Sequence, residues 1–180
     1  MENDDVSEID RRYRDRPASP RDAGRVELIV ARKGDGVHAV LASAALDPTT
    51  GLEGDRWHRG EAPKPDAQIS FMNAHVVRTI APDEALVPDA GDNLLVDLDL
   101  SAAALPPGTR LRVGTALVEI TPEPHTGCKK FHARFGSAAL RWINHRDRRD
   151  ERLRGVYGRV IEGGVVATGD VITRADDTSA

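Results

Sequence analysis

Cys128 is the only cysteine in the 180-residue chain. It lies in Pro124-His125-Thr126-Gly127-Cys128-Lys129-Lys130-Phe131, directly after a strand-like run from Leu117 to Thr121. A thiol becomes a useful nucleophile or sulfur carrier when it is partly exposed on a loop and nearby cations lower its pKa. Lys129, Lys130 and Arg134, with His125 or His132, stand close enough in sequence to do so. A lone cysteine is also commonly a small buried hydrophobe. A glycine before it and two lysines after it fit that alternative poorly.

Other residues near the thiol carry chemistry of their own. His125-x-x-Cys128-x-x-x-His132 offers three zinc-ligand types within eight residues, the number a catalytic zinc site takes from protein. Two lysines beside the thiol and the lack of a second cysteine pair argue against zinc. Three further segments are richer in Gly, Asp, Asn and His than a connecting role needs. In Gly51-Leu-Glu-Gly-Asp-Arg-Trp-His58, two glycines, Gly51 and Gly54, permit close backbone approach to a ligand, and Glu53, Asp55, Arg56 and His58 place polar groups beside them. Asp92 and Asn93 open a strand at Gly91-Asp-Asn-Leu94, and Gly155-Val-Tyr-Gly-Arg-Val160 precedes Gly163-Gly164 and Gly169-Asp170. Each taken alone also reads as turn chemistry.

The formal net charge of -4 conceals an asymmetry. Residues 128 to 154 hold nine Lys or Arg against three Asp or Glu, +6, leaving -10 elsewhere. Clustered cations attract anionic partners, so an anionic small molecule or acidic surface is admissible. The arginines of Arg146 to Arg154 fit a solvated helix face equally well. Nucleic acid is disfavoured, because the chain is acidic overall, aromatics are 4%, and no basic stripe interleaved with stacking residues occurs.

The elements that must position these groups are mostly short β-runs. Arg25 to Ala31 and Val37 to Leu41 flank Lys33-Gly-Asp-Gly36 and read as a hairpin. Gln68 to Met72, Leu94 to Leu98, Thr109 to Val113, Ala116 to Thr121, Gly155 to Glu162 and Val165 to Thr173 are further strands. So many in one domain favour a barrel or sandwich. Helices are expected over Val6 to Arg16, from an Asn73 cap over Ala74 to Ile80, and from a Ser137 cap over Ala138 to His145. Residues 1–23 read as a polar arm carrying the short helix, 24–174 as one β-barrel domain, and 175–180 as a disordered tail. No apolar run reaches the roughly 20 residues that span a bilayer, and no signal-peptide pattern or disulfide framework is present. A soluble cytoplasmic protein without a membrane partner is expected.

Taken together and in order, the motifs carry more than any one of them. Gly51-Leu-Glu-Gly-Asp55, Gly91-Asp-Asn-Leu94, Pro107-Gly-Thr-Arg-Leu-Arg-Val-Gly114, Glu119-Ile-Thr-Pro122 to Cys128, and Arg154-Gly-Val-Tyr-Gly-Arg-Val160 to Gly169-Asp170 resemble the MOSC family, the C-terminal domain of molybdenum cofactor sulfurases. The resemblance covers about Arg25 to Thr173 and implies a mainly β, pyruvate-kinase-like barrel with a few short helices. It implies that Cys128 carries sulfur as a persulfide or sits beside the metal of a bound molybdenum cofactor (molybdopterin). Lys129 and His125 would then assist at the reacting centre. Glu53, Gly54, Asp55, His58, Asn93, Lys130 and Arg134 would line the cofactor site. A cysteine desulfurase is the implied sulfur donor. Some stand-alone members resemble molybdenum-dependent reductases of N-hydroxylated compounds, and a non-catalytic anion-binding barrel is the remaining alternative. Pyridoxal phosphate, a family-level association, belongs to a desulfurase module for which 180 residues leave no room, so none of its own is expected.

The chain departs from many members at one place. An Arg and a Pro commonly precede the cysteine, where this chain has Pro124-His125-Thr126-Gly127. His125, protonated beside an anion, is a candidate replacement for that cation.

Overall fold

The structure is a computed structural model and describes residues 5–60 and 62–175. The chain begins with helix α1, Val6–Asp15, whose N-cap Asp5 accepts from the Ser7 amide. Strands β1 (Ala23–Gly34) and β2 (Val37–Leu41) follow and pair antiparallel. The expected hairpin forms because Gly34, Asp35 and Gly36 all take positive φ at its turn. β3 (Ser43–Asp47) and β4 (Gly51–Leu52) come next, then β5 (Ile69–Asn73), α2 (Ala74–Ile80) and β6 (Leu94–Asp97). The remainder is β7 (Arg110–Val113), β8 (Ala116–Ile120), α3 (Lys129–Ile143), β9 (Val156–Glu162), β10 (Gly164–Ala167) and β11 (Val171–Arg174).

Seven strands close on themselves in the order β1, β11, β7, β8, β9, β5, β6, with β2 added to the far end of β1. β1 can serve both purposes because it is long. Its first residues pair with β11, its middle with β6 and its end with β2. The run from Val165 to Thr173 is therefore two strands: Gly169, at positive φ, and Asp170 break it, and β10 leaves for a second sheet with β3 and β4.

Side-chain alternation divides the core in two. Phe71, Leu94 and Val96 join Val26, Val118 and Ile172 inside the barrel. Met72 and Leu95, their neighbours in sequence, face outward onto a layer with Ile9, Val77, Phe131 and Trp142. β5 is consequently buried along its whole length, and it pairs in parallel with β6, as strands covered on both faces can. α1 belongs to this outer layer: Ile9 is 1% exposed and Tyr13 packs edge-on against Trp142 at 5.1 Å.

Asn73 caps α2 as expected, accepting from the amides of His75 (2.9 Å) and Val76 (3.1 Å). The third helix differs from expectation. α3 is two helical segments joined across the non-helical Gly136 (φ 83°, ψ 177°): the second is the expected one, ending at Ile143 rather than His145, and the first, from Lys129 with Cys128 as its N-cap, was not expected. No described helix is long and apolar enough to cross a membrane. Residues 176–180, most of the expected tail, lie outside the described residues, as do residues 1–4.

Candidate active site: a helix-capping thiol and two buried ion pairs

The Pro122–Gly127 segment carries the chain from β8 to α3. Its end is pinned by a reciprocal pair of bonds: the Gly127 amide donates to Asn144 Oδ1 (2.8 Å), and Asn144 Nδ2 donates to the Gly127 carbonyl (3.1 Å). A side chain at Gly127 would meet Leu140 Cδ1 at 2.9 Å and Ile143 Cγ2 at 3.1 Å. Glycine is what lets the loop lie this close to the helix.

Cys128 is thereby held as the N-cap of α3, and it is exposed. Its sulfur makes no side-chain capping hydrogen bond of ordinary geometry. Partial burial works to raise the thiol pKa, but the free amides of Phe131 and Lys130 and the charges of Arg154 and Lys130 outweigh it. The net position is below that of an ordinary thiol. The buried-hydrophobe alternative is excluded by this placement. Lys129 is exposed and lines neither of the clefts described below.

Behind the thiol lie two buried ion pairs, each joining a loop to a distant strand end. Arg154, just before β9, donates to Asp92 Oδ2 (2.5 Å) and to the Ala90 carbonyl (3.2 Å), and its guanidinium stands 5.2 Å above the Phe131 ring. Arg32 on β1 donates to both oxygens of Asp55 at 2.9 and 3.0 Å. Asn93 links the second pair to the strands. Its Oδ1 accepts from Arg32 and from the Ser70 amide, and its Nδ2 donates to Asp55 Oδ2 (3.0 Å) and the Val30 carbonyl. For Asp55, burial alone would raise the pKa, yet the Arg32 bonds and charge hold it below the usual carboxylate range. For Asp92, burial prevails over Arg154 and the pKa lies above that range.

His125 sits against this assembly. Its side chain is 6% exposed, Nε2 lies 3.6 Å from Asp92 Oδ1, and its ring stacks on Tyr157 at 4.2 Å. Burial, then the positive charges of Arg154 and Arg32, push its pKa well below the usual imidazole value. His125 is therefore neutral at physiological pH and does not replace the missing cation. Arg154 and Arg32 supply that charge from elsewhere in the chain. His132 is exposed, and no group of three or more His, Cys, Asp or Glu able to hold a metal ion is assembled among the described residues, so the zinc spacing comes to nothing.

The expected site residues thus separate. Asp55 and Asn93 join the buried network. Lys130 and Arg134 lie on α3 and face a cleft of ≈ 390 Å³, together with Arg32 and Arg56. Arg32 is already paired with Asp55, and the other three cations face one carboxylate in the lining, Asp35, so the cleft favours an anion. Arg134 also ties the cleft together, donating to the Asp89 carbonyl (2.8 Å) and facing His38 Nε2 (3.3 Å). Glu53 and His58 stand apart from the network. Glu53 accepts from the Ala45 amide (3.1 Å) and His58 is exposed in the Trp57–Arg59 turn. Gly54, at positive φ, receives Lys33 Nζ on its carbonyl (3.0 Å). Arg32 is not singled out from sequence; Asp92 reads there as turn chemistry, and Arg154 and Tyr157 enter only as members of a glycine-rich motif, none of them as a site residue. The available signal was an arginine inside an apolar strand and another opening a glycine-rich one.

The model of the MOSC domain matches residues 55–173 of the chain. The chain belongs to the MOSC domain family. Solved structures agree on the fold. The YuaD protein from Bacillus subtilis superimposes with a TM-score of 0.61 at 20% identity, covering 83% of this chain and 94% of that one. YiiM from Escherichia coli gives a TM-score of 0.58 at 20% identity, covering 87% of this chain and 72% of that one. YiiM from Geobacillus stearothermophilus gives 0.51 at 16%, covering 89% and 76%. No curated protein matches the sequence. The MOSC match spans Asp55, Asp92, Asn93, Cys128 and Arg154, so the thiol and the Arg154–Asp92 pair lie within it, while Arg32, the partner of Asp55, stands on β1 before the matched residues.

Proposed function

We propose that this MOSC protein holds a molybdenum cofactor in the cationic cleft on α3, with the Cys128 thiolate beside the metal. The observation that carries the reading is a thiol with lowered pKa on the same helix whose next turns supply Lys130 and Arg134 to an anion-favouring cleft. The donor set suits such a group: one soft anionic sulfur for the metal, and guanidinium and ammonium groups for a phosphate. When bound, the cofactor supplies two-electron redox chemistry. The amides of Phe131 and Lys130 help hold the Cys128 thiol pKa below its ordinary value, and Arg32, Arg56, Lys130 and Arg134 orient the anionic part. Reduction of an N-hydroxylated compound is the reaction class this reading favours.

The exposure of Cys128 favours a second reading, sulfur carriage. In it the thiolate attacks the terminal sulfur of a cysteine desulfurase persulfide; an S–S bond forms at Cys128 and the donor leaves as its thiolate. The protein is expressed in a host that makes molybdopterin, and bound molybdenum and intact mass are measured before and after incubation with a cysteine desulfurase and cysteine. Near-stoichiometric molybdenum, lost in Cys128→Ala, supports cofactor binding. A 32-Da-type sulfur adduct on Cys128 without metal supports carriage. Neither result leaves a binding module that turns nothing over.

A further inference from the structure

We propose that the cleft between the Pro122–Thr126 segment and the Arg146–Leu153 turn is a separate binding site for a small organic anion, a carboxylate or phosphate monoester on an apolar body. The cleft encloses ≈ 590 Å³, within the range of small-molecule sites, and shares no lining residue with the cationic cleft on α3. The proposal therefore stands whether or not Cys128 holds a metal.

The arginines on its wall are not equivalent. Arg148 is already engaged, bonded to Asp10 (2.7 Å) and set over the Trp142 ring at 5.3 Å. Arg152 is held in the left-handed region (φ 48°) and donates to the Leu105 carbonyl (2.6 Å), with no carboxylate bonded to it among the described residues. Partial burial of that guanidinium lowers its pKa below the ordinary value, with Asp150 opposing. Arg154 is 9% exposed, and although NH1 and NH2 are bonded, its Nε is buried without a partner. His125, neutral and 6% exposed, brings a second unpartnered buried atom, Nδ1, to the same wall. Arg149 is exposed with no side-chain bond among the described residues.

A solvated charged face would turn these groups outward. Here Leu153 and Arg154 are buried and Arg152 is half-buried, so the basic run folds into the cleft instead. Asp150 is a nearby charge but bonds no guanidinium nitrogen of Arg152 among the described residues, and a half-buried guanidinium left so is a site that an anion completes. Glu123 on the opposite wall is occupied by Lys64 (2.9 Å). Asp150 limits the ligand to one anionic group. Ile143, Leu153 and Val156 supply the apolar part of the lining.

The test is calorimetric titration of the intact protein with phenylacetate, phenyl phosphate and the neutral phenylacetamide, at low and high salt. The anionic probes are expected to bind about tenfold or more tightly than the amide, the difference that a charge-assisted bond supplies. Arg152→Gly removes the side chain and relieves the left-handed backbone, and should weaken anion binding about tenfold. Arg149→Ala should weaken it less and make it less salt-sensitive. The preferred probe tells carboxylate from phosphate. The proposal is overturned if the amide binds as tightly as the anions, if no anion binds below about 10 mM, or if Arg149→Ala and Arg152→Gly both leave affinity unchanged.

Discussion

Replacing Arg154 by Met tests the reading that Asp92 is a buried carboxylate dependent on one partner. Asp92 has a fully buried side chain, and Arg154 is its paired cation at 2.5 Å. Met retains much of the arginine stem's volume, so the cavity contribution is small and the main loss is the charge. Removing one member of a buried pair costs about 3–5 kcal/mol, because the other charge stays desolvated and unpaired. With a urea slope of about 2 kcal/mol per M, the unfolding midpoint should fall by about 2 M at pH 7.5. The pH dependence has a definite sign. Burial raises the Asp92 pKa above its unfolded value even with Arg154 present, so its contribution is most favourable at low pH, when protonated, and is lost as pH rises through the folded pKa. Without Arg154 the folded pKa moves further up. The deficit of the variant should therefore shrink between pH 7.5 and pH 5, by about 1.4 kcal/mol for each unit of extra displacement that the range covers. The double variant Asp92→Leu/Arg154→Met removes both charges and should recover at least half of the loss. A deficit under about 1 kcal/mol at pH 7.5, one that does not shrink on acidification, or a double variant no more stable than the single one would refute the reasoning.

Three other perturbations probe different parts of the molecule. The rate of Cys128 alkylation by iodoacetamide should rise with pH through an inflection below that of a free thiol, and Lys130→Ala should move the inflection up; an unshifted inflection would remove the thiolate from the site. Ser is a good N-cap, so Cys128→Ser should abolish labelling yet change stability by less than about 1 kcal/mol. Gly155 sits at φ 101° where a Cβ would lie 1.9 Å from the Phe71 carbonyl oxygen; Gly155→Ala should cost at least about 2 kcal/mol in a denaturant melt. Ile9→Ala empties a fully buried place beneath Trp142 and should cost about 2–5 kcal/mol; a near-neutral result would mean that α1 is not part of the outer core layer.

Much of the barrel was legible because its signals are local. Lys33-Gly-Asp-Gly36 announces a hairpin, Asn73 announces a helix, and alternating Val, Leu and Ile mark β6, β8 and β9. Ser43-Ala-Ala-Leu-Asp47 carries little β-propensity and becomes β3 only because β10 pairs with it. Gly136 rightly reads as a helix boundary, but the helical segment before it, from Lys129, is missed. At the site, the thiol and its lysine neighbour were visible from types and order alone. The partners of Arg32 and Arg154 were not, because 23 and 62 residues separate them from Asp55 and Asp92. His125 shows the same limit in reverse. Nothing local distinguishes a protonated loop histidine from one buried under Tyr157 beside two arginines, and the charge state follows from that burial.

The two ion pairs do more than stabilise, since a buried pair is weak support for a fold compared with apolar residues of the same volume. Their members come from four segments: β1, the loop after β4, the turn before β6 and the turn before β9. Asp92 and Asn93 are adjacent in the chain, so the Arg154–Asp92 pair connects through them to Asn93, Asp55 and Arg32. Arg32 lines the cleft on α3 and Arg154 the cleft beside His125, on either side of the loop that presents Cys128. The spine therefore places one ion-paired guanidinium on the wall of each cleft while the thiol stays exposed at the surface. A change at Asn93, which lines neither cleft, should move both charges, whereas a change at an exposed cation such as Lys130 should be felt in one.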